Sequence, residues 1–409
     1  MMYEPVMGIE VHVELNTKTK MFCRCSADYF GKEPNSHTCP ICLGLPGALP
    51  YINEEAIKKC MQIGLALNCS VAEVSYFERK NYFYPDLVKG YQISQLVAPL
   101  NVKGWLMVES ENGEKKIRIN RAHQEADTDK FVHQFGMSNG QSGTAIDFNR
   151  SGVPLVEIVT EPDFHSSAEV RDYAQKLQQI FKHIGVSNAD MERGDMRLEA
   201  NVSVRPVGST ELPPYRVELK NINSFRFMVA AIEYEIKRQS EALERGGKLA
   251  QETRGWNEAK KETFLQRSKE EAQDYRYFPE PDLPELRVKI FVQSAKDEIQ
   301  GKLPHQRVTV LVEKYGVPEN VAAALMKKGM VELFEEAVGK SEKSQAVMIA
   351  NHIINKKIES DIKVDDVIAG IGSKAANLSV DNSNLKKAIE ETLSENRDAV
   401  ANYKKGNQG

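Results

Sequence analysis

The chain is 409 residues long, 41% hydrophobic and 27% charged, with a formal net charge of -4. That balance suits a folded protein of two or three domains and excludes wholesale disorder or a global electrostatic pull toward nucleic acid. No apolar run reaches the ~18 residues of a membrane span, and the start MMYEPVMGIEVHVEL lacks the basic stretch and apolar core of a signal peptide, so a cytosolic, cytoplasmic protein is expected.

The first element is the run GIEVHVEL, Gly8 to Leu15. Period-two alternation puts Ile9, Val11, Val13 and Leu15 on one face of a strand and Glu10, His12 and Glu14 on the other. Next come six cysteines, four of them clustered as Cys23-x-Cys25 and Cys39-x-x-Cys42. In a reducing compartment such a cluster binds metal more often than it forms disulfides, and four thiolates at this spacing suit a closed tetrahedral structural zinc. His37 is a substitute ligand, and four reduced thiols in a loop is the plain alternative. Cys60 has helical spacing with Ile57, Met61, Gly64 and Leu65 in EEAIKKCMQIGLAL and reads as core.

The string FERKNYFYPD (Phe77 to Asp86) joins Arg79 and Lys80 to three aromatics. Aromatics beside basic residues suit base stacking, and equally a packed loop ended by Pro85; Arg79 and Lys80 are the better candidates for phosphate contacts. DYRYFPEPD (Asp274 to Asp282) repeats the mixture with Arg276 between two tyrosines. Further alternating runs follow the first. RAHQEADTD offers His123, Glu125 and Asp127, and Glu157 interrupts the apolar run Leu155 to Val159, a costly place for an unpaired carboxylate. MRLEANVSVRP puts Arg197, Glu199, Asn201, Ser203 and Arg205 on one side, and YRVELKN does so for Arg216, Glu218 and Lys220.

One such strand could be a solvated edge. Several offering carboxylates to one surface would repel one another without cations. Magnesium held by one or two carboxylates plus substrate phosphates resolves that repulsion, and a histidine among oxygen ligands also tolerates manganese or zinc. No GxxxxGK[ST] or GxGxxG occurs, so a nucleotide would bind outside the P-loop and Rossmann modes. No GxSxG occurs either, so chemistry that needs a nucleophile would come from a partner.

Short strands with long inserted helices, such as SAEVRDYAQKLQQIFKHIG and the helix from Ser224 to about Gly246, predict an α+β domain around an antiparallel sheet over residues 1–292. Beyond the Pro-rich DYRYFPEPDLPELRV, Gly- and Pro-separated helical patterns predict an all-helical domain over 293–409. Its 17 basic and 17 acidic residues after Ala295 make no basic arm. The polar ending ANYKKGNQG has no closing helix pattern, and a further segment is expected to be missing.

In order along the chain, GIEVHVEL, RKNYFYPDLVKGYQISQ, HQEAD, DFNRSGVPLVEIVTEPD, MRLEANVSVRP, ELKNINSF and DYRYFPEPDLP closely resemble the B subunits of the tRNA-dependent glutamine amidotransferases, over nearly the whole length. The resemblance implies a cradle-shaped first domain with the sheet and flanking helices, a helical domain, and a tRNA-gripping tail that is absent or truncated here. It implies ATP-dependent phosphorylation of the side-chain carboxylate on Glu-tRNA(Gln) or Asp-tRNA(Asn), then amidation by ammonia. An amidase-type glutaminase A subunit supplies the ammonia, and a small C subunit completes the heterotrimer. Glu10, His12, Glu125 and Glu157 are then expected to hold Mg2+, with Mn2+ as a substitute. Asp127, Glu199 and Asn201 follow as cofactor-binding candidates, while Lys80, Lys220, Arg79 and Arg276 would neutralise the phosphates. Cys23, Cys25, Cys39 and Cys42 would hold Zn2+, as in some members. Two other readings stand beside this one: a non-catalytic, zinc-stabilised tRNA-binding scaffold, and a metal-dependent phosphohydrolase.

Overall fold

The alternation read in the first strand is realised over Tyr3–Glu14, where Met7, Ile9, Val11 and Val13 are buried while Glu10 and His12 remain partly exposed on the opposite face. The computed structural model describes residues 3–134, 143–268, 274–355, 362–377 and 392. The strands β1 (Tyr3–Glu14), β2 (Ser70–Val71), β3 (Asn101–Ser110), β4 (Gly113–Ala126), β5 (Pro154–Thr160), β6 (Met196–Pro206), β7 (Val217–Ile222), β8 (Glu252–Asn257) and β9 (Glu262–Ser268) form one nine-stranded sheet, in the order β9-β8-β7-β6-β1-β5-β4-β3-β2. β1 is its centre. Neighbours run antiparallel except β7 and β8, which are parallel. A parallel pair needs a crossover, and the helix between these two strands supplies it.

Three helices cover the apolar face and share one core with Ile9, Val11, Val13 and Ile158. Helix α1 (Glu54–Ala66) starts where Asn53 Oδ1 accepts from Ala56 N at 3.2 Å. Helix α2 (Ser167–Ile184) starts at Ser166 and stops at Gly185, whose φ of 74° ends the helix in the left-handed conformation that glycine adopts without strain. The crossover helix α3 (Phe225–Glu244) follows Ser224, which holds the cap position with extended backbone but makes no side-chain cap bond; the Gly246–Gly247 pair lies just past its end. Cys60 is fully buried in this core.

The other face of the sheet carries the charged residues. A short three-stranded sheet, with one strand from each of the two aromatic strings, accompanies it: Glu78–Asn81 pairs with Tyr91–Ser94 on one side and with Phe278–Pro279 on the other. Helix α4 (Lys289–Ile299) adds Ala295 and Ile299 to the first core, and the first compact unit runs to Leu303. The sequence break at 292/293 falls inside that helix.

The second unit starts at Pro304. Its described residues form helices α5 (Pro304–Tyr315), α6 (Glu319–Lys327), α7 (Val331–Gly339), α8 (Ala346–Asn355) and α9 (Val364–Asn377). Leu311, Leu325, Phe334, Ile349 and Val367 make its core, as the 3.6-residue spacing of its apolar positions requires. The ANYKKGNQG ending lies outside the described residues. Among the described residues no helix is long and apolar enough to cross a membrane.

Candidate active site and metal centres

The register of the central strands decides which charged side chains meet. On β1, His12 stands opposite Glu157 of β5 and opposite Arg197 of β6, and Glu10 stands opposite Glu199. Glu157 in turn faces His123 of β4, and Leu155 faces Glu125. Asn201 of β6 faces Glu218 of β7. Two groups of ligand atoms result, each with all members within 4.8 Å of one another: His12, Glu125 and Glu157 on one side, and Glu10, Glu199 and Glu218 on the other. The set Glu10, His12, Glu125 and Glu157 is thus divided between two neighbouring triads, because Glu10 projects toward β6 and β7.

In the first triad, the two carboxylates are buried and face cationic groups. Glu157 Oε2 lies 3.4 Å from His123 Nε2 and 3.9 Å from His12 Nε2, with the Arg121 guanidinium 3.9 Å from its other oxygen. Burial alone would raise the Glu157 pKa, but His123, His12 and Lys80 outweigh it and hold the carboxyl well below the ordinary range. Glu125 is also lowered: against burial and the Glu157 charge stand Lys80 and His123. Ser94 Oγ and Gln92 Nε2 donate to its two oxygens at 2.5 and 3.0 Å. His123 is pushed down by burial and up, more strongly, by Glu157 and Glu125 together, so it favours the charged form. Its buried Nδ1 has no hydrogen-bond partner.

In the second triad, Glu10 is raised by burial and by repulsion from Glu157 and Glu199. Three carboxylates gathered in this way could hold a hard cation through oxygen ligands. Asn201 Nδ2 donates to Glu10 Oε1 at 2.9 Å. Lys220 Nζ lies 2.7 Å from Glu199 and 3.2 Å from Glu218, and these partners raise its pKa against the opposing effect of burial. Lys80 is likewise raised, burial being outweighed by Glu125 and Glu157, and its ammonium lies over the rings of Tyr275 and Tyr82 at 5.1 and 5.8 Å.

The remaining candidates lie apart from the triads. Arg79 forms a two-pronged pair with Glu280 at 2.8 and 2.7 Å, adds Asp282 at 3.1 Å and stacks on Tyr91. Arg276 has an exposed side chain near Asp274, with φ at +47°. Asp127 meets Arg197 at 2.6 Å and Arg150 at 3.8 Å, and these cations hold its carboxyl far down despite burial. Glu14, beside it, accepts from Tyr29 Oη at 3.0 and 3.1 Å and is pushed up by burial and by Asp127.

The four cysteine sulfurs also lie within 4.8 Å of one another and could hold a metal ion. Cys42 is lowered to about 5, first by a hydrogen bond from Cys23 and, against burial, by the Lys20 charge, while burial lifts Cys25 to about 11. Four cysteine sulfurs gathered in this way are a donor set that a tetrahedral structural zinc would take up, with the thiols giving up their protons. His37 is not in the group.

Gln92 and Ser94 belong to the site without having been singled out by sequence reasoning, and Glu218 and His123 stand on the charged faces read from the sequence but not among the expected ligands. Alternation marks the face of Glu218 and His123. Nothing in the sequence marks the neutral Gln92 and Ser94, which reach Glu125 from a different strand.

Residues 5–292 match the family described as the GatB/GatE catalytic domain. Among similar proteins is the B subunit of the aspartyl/glutamyl-tRNA(Asn/Gln) amidotransferase from Thermotoga maritima, 48% identical over 340 residues, covering 83% of this chain and 70% of that one. The protein of the same name from Thermoanaerobacter pseudethanolicus is 48% identical over 351 residues, covering 85% and 72%. That from Caldanaerobacter subterraneus is 40% identical over 452 residues, covering 100% and 93%. The family match spans all but the first two residues of β1 and every other strand of the nine-stranded sheet, and it includes both triads. The chain therefore belongs to the GatB/GatE catalytic domain family of amidotransferase B subunits, and it is a component of a carbon–nitrogen ligase that uses glutamine.

Proposed function

We propose that the chain phosphorylates the side-chain carboxylate of glutamate or aspartate misattached to tRNA(Gln) or tRNA(Asn), using ATP, and then presents the acyl phosphate to ammonia. A glutaminase-type A subunit supplies that ammonia, and a small C subunit joins the assembly. The observation that carries this reading is the pair of triads on the two sides of one strand, with a lysine ammonium at each.

Joining a phosphoryl group to a carboxylate brings two anions together, so the site must supply positive charge and fix both partners. The donor sets fit hard cations: oxygens alone at Glu10, Glu199 and Glu218, and two carboxylates with an imidazole at His12, Glu125 and Glu157, which suits Mg2+ and tolerates Mn2+. Such an ion, when bound, draws charge from the phosphate oxygens. Lys220 and Lys80 supply further positive charge at either triad, and His123 fixes the orientation of Glu157 and Glu125. One oxygen of the substrate carboxylate takes the γ-phosphoryl group, and ADP leaves. The ammonia lone pair then attacks the acyl carbon, phosphate departs with the bonding electrons and takes up the proton that the nitrogen loses, and the amide remains. Tyr82 and Tyr275, packed round Lys80, limit the access of water that would hydrolyse the acyl phosphate.

The cysteine group fits a structural Zn2+. With four sulfur ligands it would have no open position for substrate. It would fix the loop that returns to β1 and β5, where Met21 N donates to Gly152 O at 2.7 Å.

The test is glutamine- and ATP-dependent amidation of each misacylated tRNA by the chain reconstituted with its partner subunits. Glu10→Ala and His12→Ala should abolish turnover while tRNA binding stays within about two-fold. Full activity in both variants would refute the assignment, and comparing the two tRNAs settles the substrate.

A further inference from the structure

Strand β8 runs parallel to β7, with Thr253 beside Glu218 and Arg254 beside Leu219. Successive side chains of a strand point to opposite faces. Leu219 is fully buried in the core under the helices, so Arg254 shares the helix-covered face and Thr253 shares the charged one. Thr253 Oγ1 donates to Glu218 Oε2 at 2.9 Å, in a buried hydrogen bond. The other oxygen, Glu218 Oε1, lies 3.2 Å from Lys220 Nζ. This carboxylate of the oxygen triad is therefore gripped at both oxygens, by a cation at one and by a neutral hydroxyl at the other.

The chain fixes β8 on both sides of Thr253. On one side, Arg254 Nε lies 3.1 Å from Glu235 Oε1 of α3 and donates to Thr263 Oγ1 of β9 at 2.9 Å. Glu235 is fully buried, a costly place for a carboxylate unless it is paired and hydrogen-bonded. Arg238 meets it as well, at 3.0 and 2.9 Å, and Gln239 Nε2 donates to it at 3.0 Å. On the other side, Arg238 reaches Glu252 at 2.8 Å. Both chain neighbours of Thr253 are thus tied to one helix, and Thr253 between them is held against Glu218. A valine has the same shape and suits a buried strand position as well. The hydroxyl adds a hydrogen bond to Glu218 and no packing.

We propose that Thr253 is a positioning residue for the triad of Glu10, Glu199 and Glu218, acting through Glu218. The proposal rests on the reading of that triad as a cation site. Lys220 divides its charge between Glu199 and Glu218, and it would compete with a cation for both. The Thr253 hydroxyl is neutral and does not compete, so its hold on Glu218 is compatible with a bound ion. A ligand carboxylate oriented by a hydrogen bond from behind gives up less freedom when it takes a metal, which is how groups beyond the ligands tune affinity.

The experiment titrates Mn2+ into the full chain by spin resonance, and follows the Mg2+ dependence of amidation by the chain reconstituted with its partner subunits. Thr253→Val removes the hydroxyl and keeps the shape, Thr253→Ser keeps the hydroxyl, and Glu218→Gln marks which Mn2+ sites belong to this triad. Glu218→Gln should remove those sites. Thr253→Val should weaken them about ten-fold and raise the Mg2+ needed for half-maximal activity by about the same factor, with kcat at saturating Mg2+ within about two-fold of wild type. Thr253→Ser should stay within about two-fold of wild type in both measurements. Unchanged Mn2+ binding and Mg2+ dependence in Thr253→Val, with the sites lost in Glu218→Gln, would overturn this inference and leave the cation reading standing. Mn2+ binding unchanged in both variants would overturn both. Turnover lowered equally at every Mg2+ concentration, together with a lower melting temperature, would make the hydroxyl a part of the fold only and overturn the inference. So would a Thr253→Ser variant as impaired as Thr253→Val.

Discussion

His12 and Glu157 face each other across β1 and β5, and the carboxylate oxygen that lies 3.9 Å from His12 Nε2 is also 3.4 Å from His123 Nε2. Two imidazoles from different strands converge on one oxygen. Glu157→Gln keeps the shape and removes the charge. Amidation by the reconstituted complex should fall at least about 100-fold, the scale of losing one preorganised electrostatic group. Manganese affinity, read by spin resonance, should fall with it. Normal turnover in this variant would exclude Glu157 from the site.

Arg79 has a structural task whose strength can be measured. Its guanidinium spans a fully buried Glu280 carboxylate and adds Asp282. Removing one partner of a buried pair strands the other charge, at a cost of about 3–5 kcal/mol. Arg79→Ala should therefore unfold at clearly lower denaturant, and Arg79→Ala with Glu280→Gln should recover part of the loss. Equal stability of the single variant and wild type would show that Arg79 serves a ligand rather than the fold.

The cysteine group makes a prediction about metal content. Purified without chelator, the chain should carry about one zinc, and Cys39→Ser should lose most of it along with thermal stability. Turnover should then decline in step with the folded fraction. A metal-free wild type, or a variant that keeps its zinc, would contradict the assignment.

Asp129 makes a prediction about pH. It is 1% exposed, and burial, with help from Asp86, lifts its pKa to about 7. The unfolded chain loses this proton near pH 4, while the folded chain keeps it to about 7. Below pH 4 there is no penalty; as pH rises from 4 to 7 the wild type loses stability, and above 7 the loss is constant. The stability of Asp129→Asn relative to wild type should therefore climb across that window and then level off. A difference that does not vary with pH would rule out a buried ionising carboxylate.

Much of this was legible in the primary structure, and the limit is instructive. Alternation alone places Glu10, His12, Glu199 and Asn201 on polar faces, because side-chain period is a local property of a strand. Convergence is not local. Glu10 joins Glu199 and Glu218, and His12 joins Glu125 and Glu157, only because β6 and β5 flank β1 while β7 and β4 lie beyond them. Glu218 gains its meaning from β6 beside it. Arg79 and Arg276, both in basic-aromatic strings, have opposite fates, one clamped by Glu280 and one exposed, and that difference depends on pairing between Phe278 and Arg79. Helix α4 shows the same limit: the Pro-rich segment before it reads as a boundary, yet Ala295 and Ile299 complete the first core.

The central place of β1 has a consequence during synthesis. This strand leaves the ribosome well before its partners: Asn201 bonds Glu10 across 191 positions. Contacts of such range close late, since loop entropy must be overcome before they contribute. A nascent chain therefore carries its cluster-forming carboxylates long before it can bring them together. Neither triad exists until the strands of the first unit that complete it have been made.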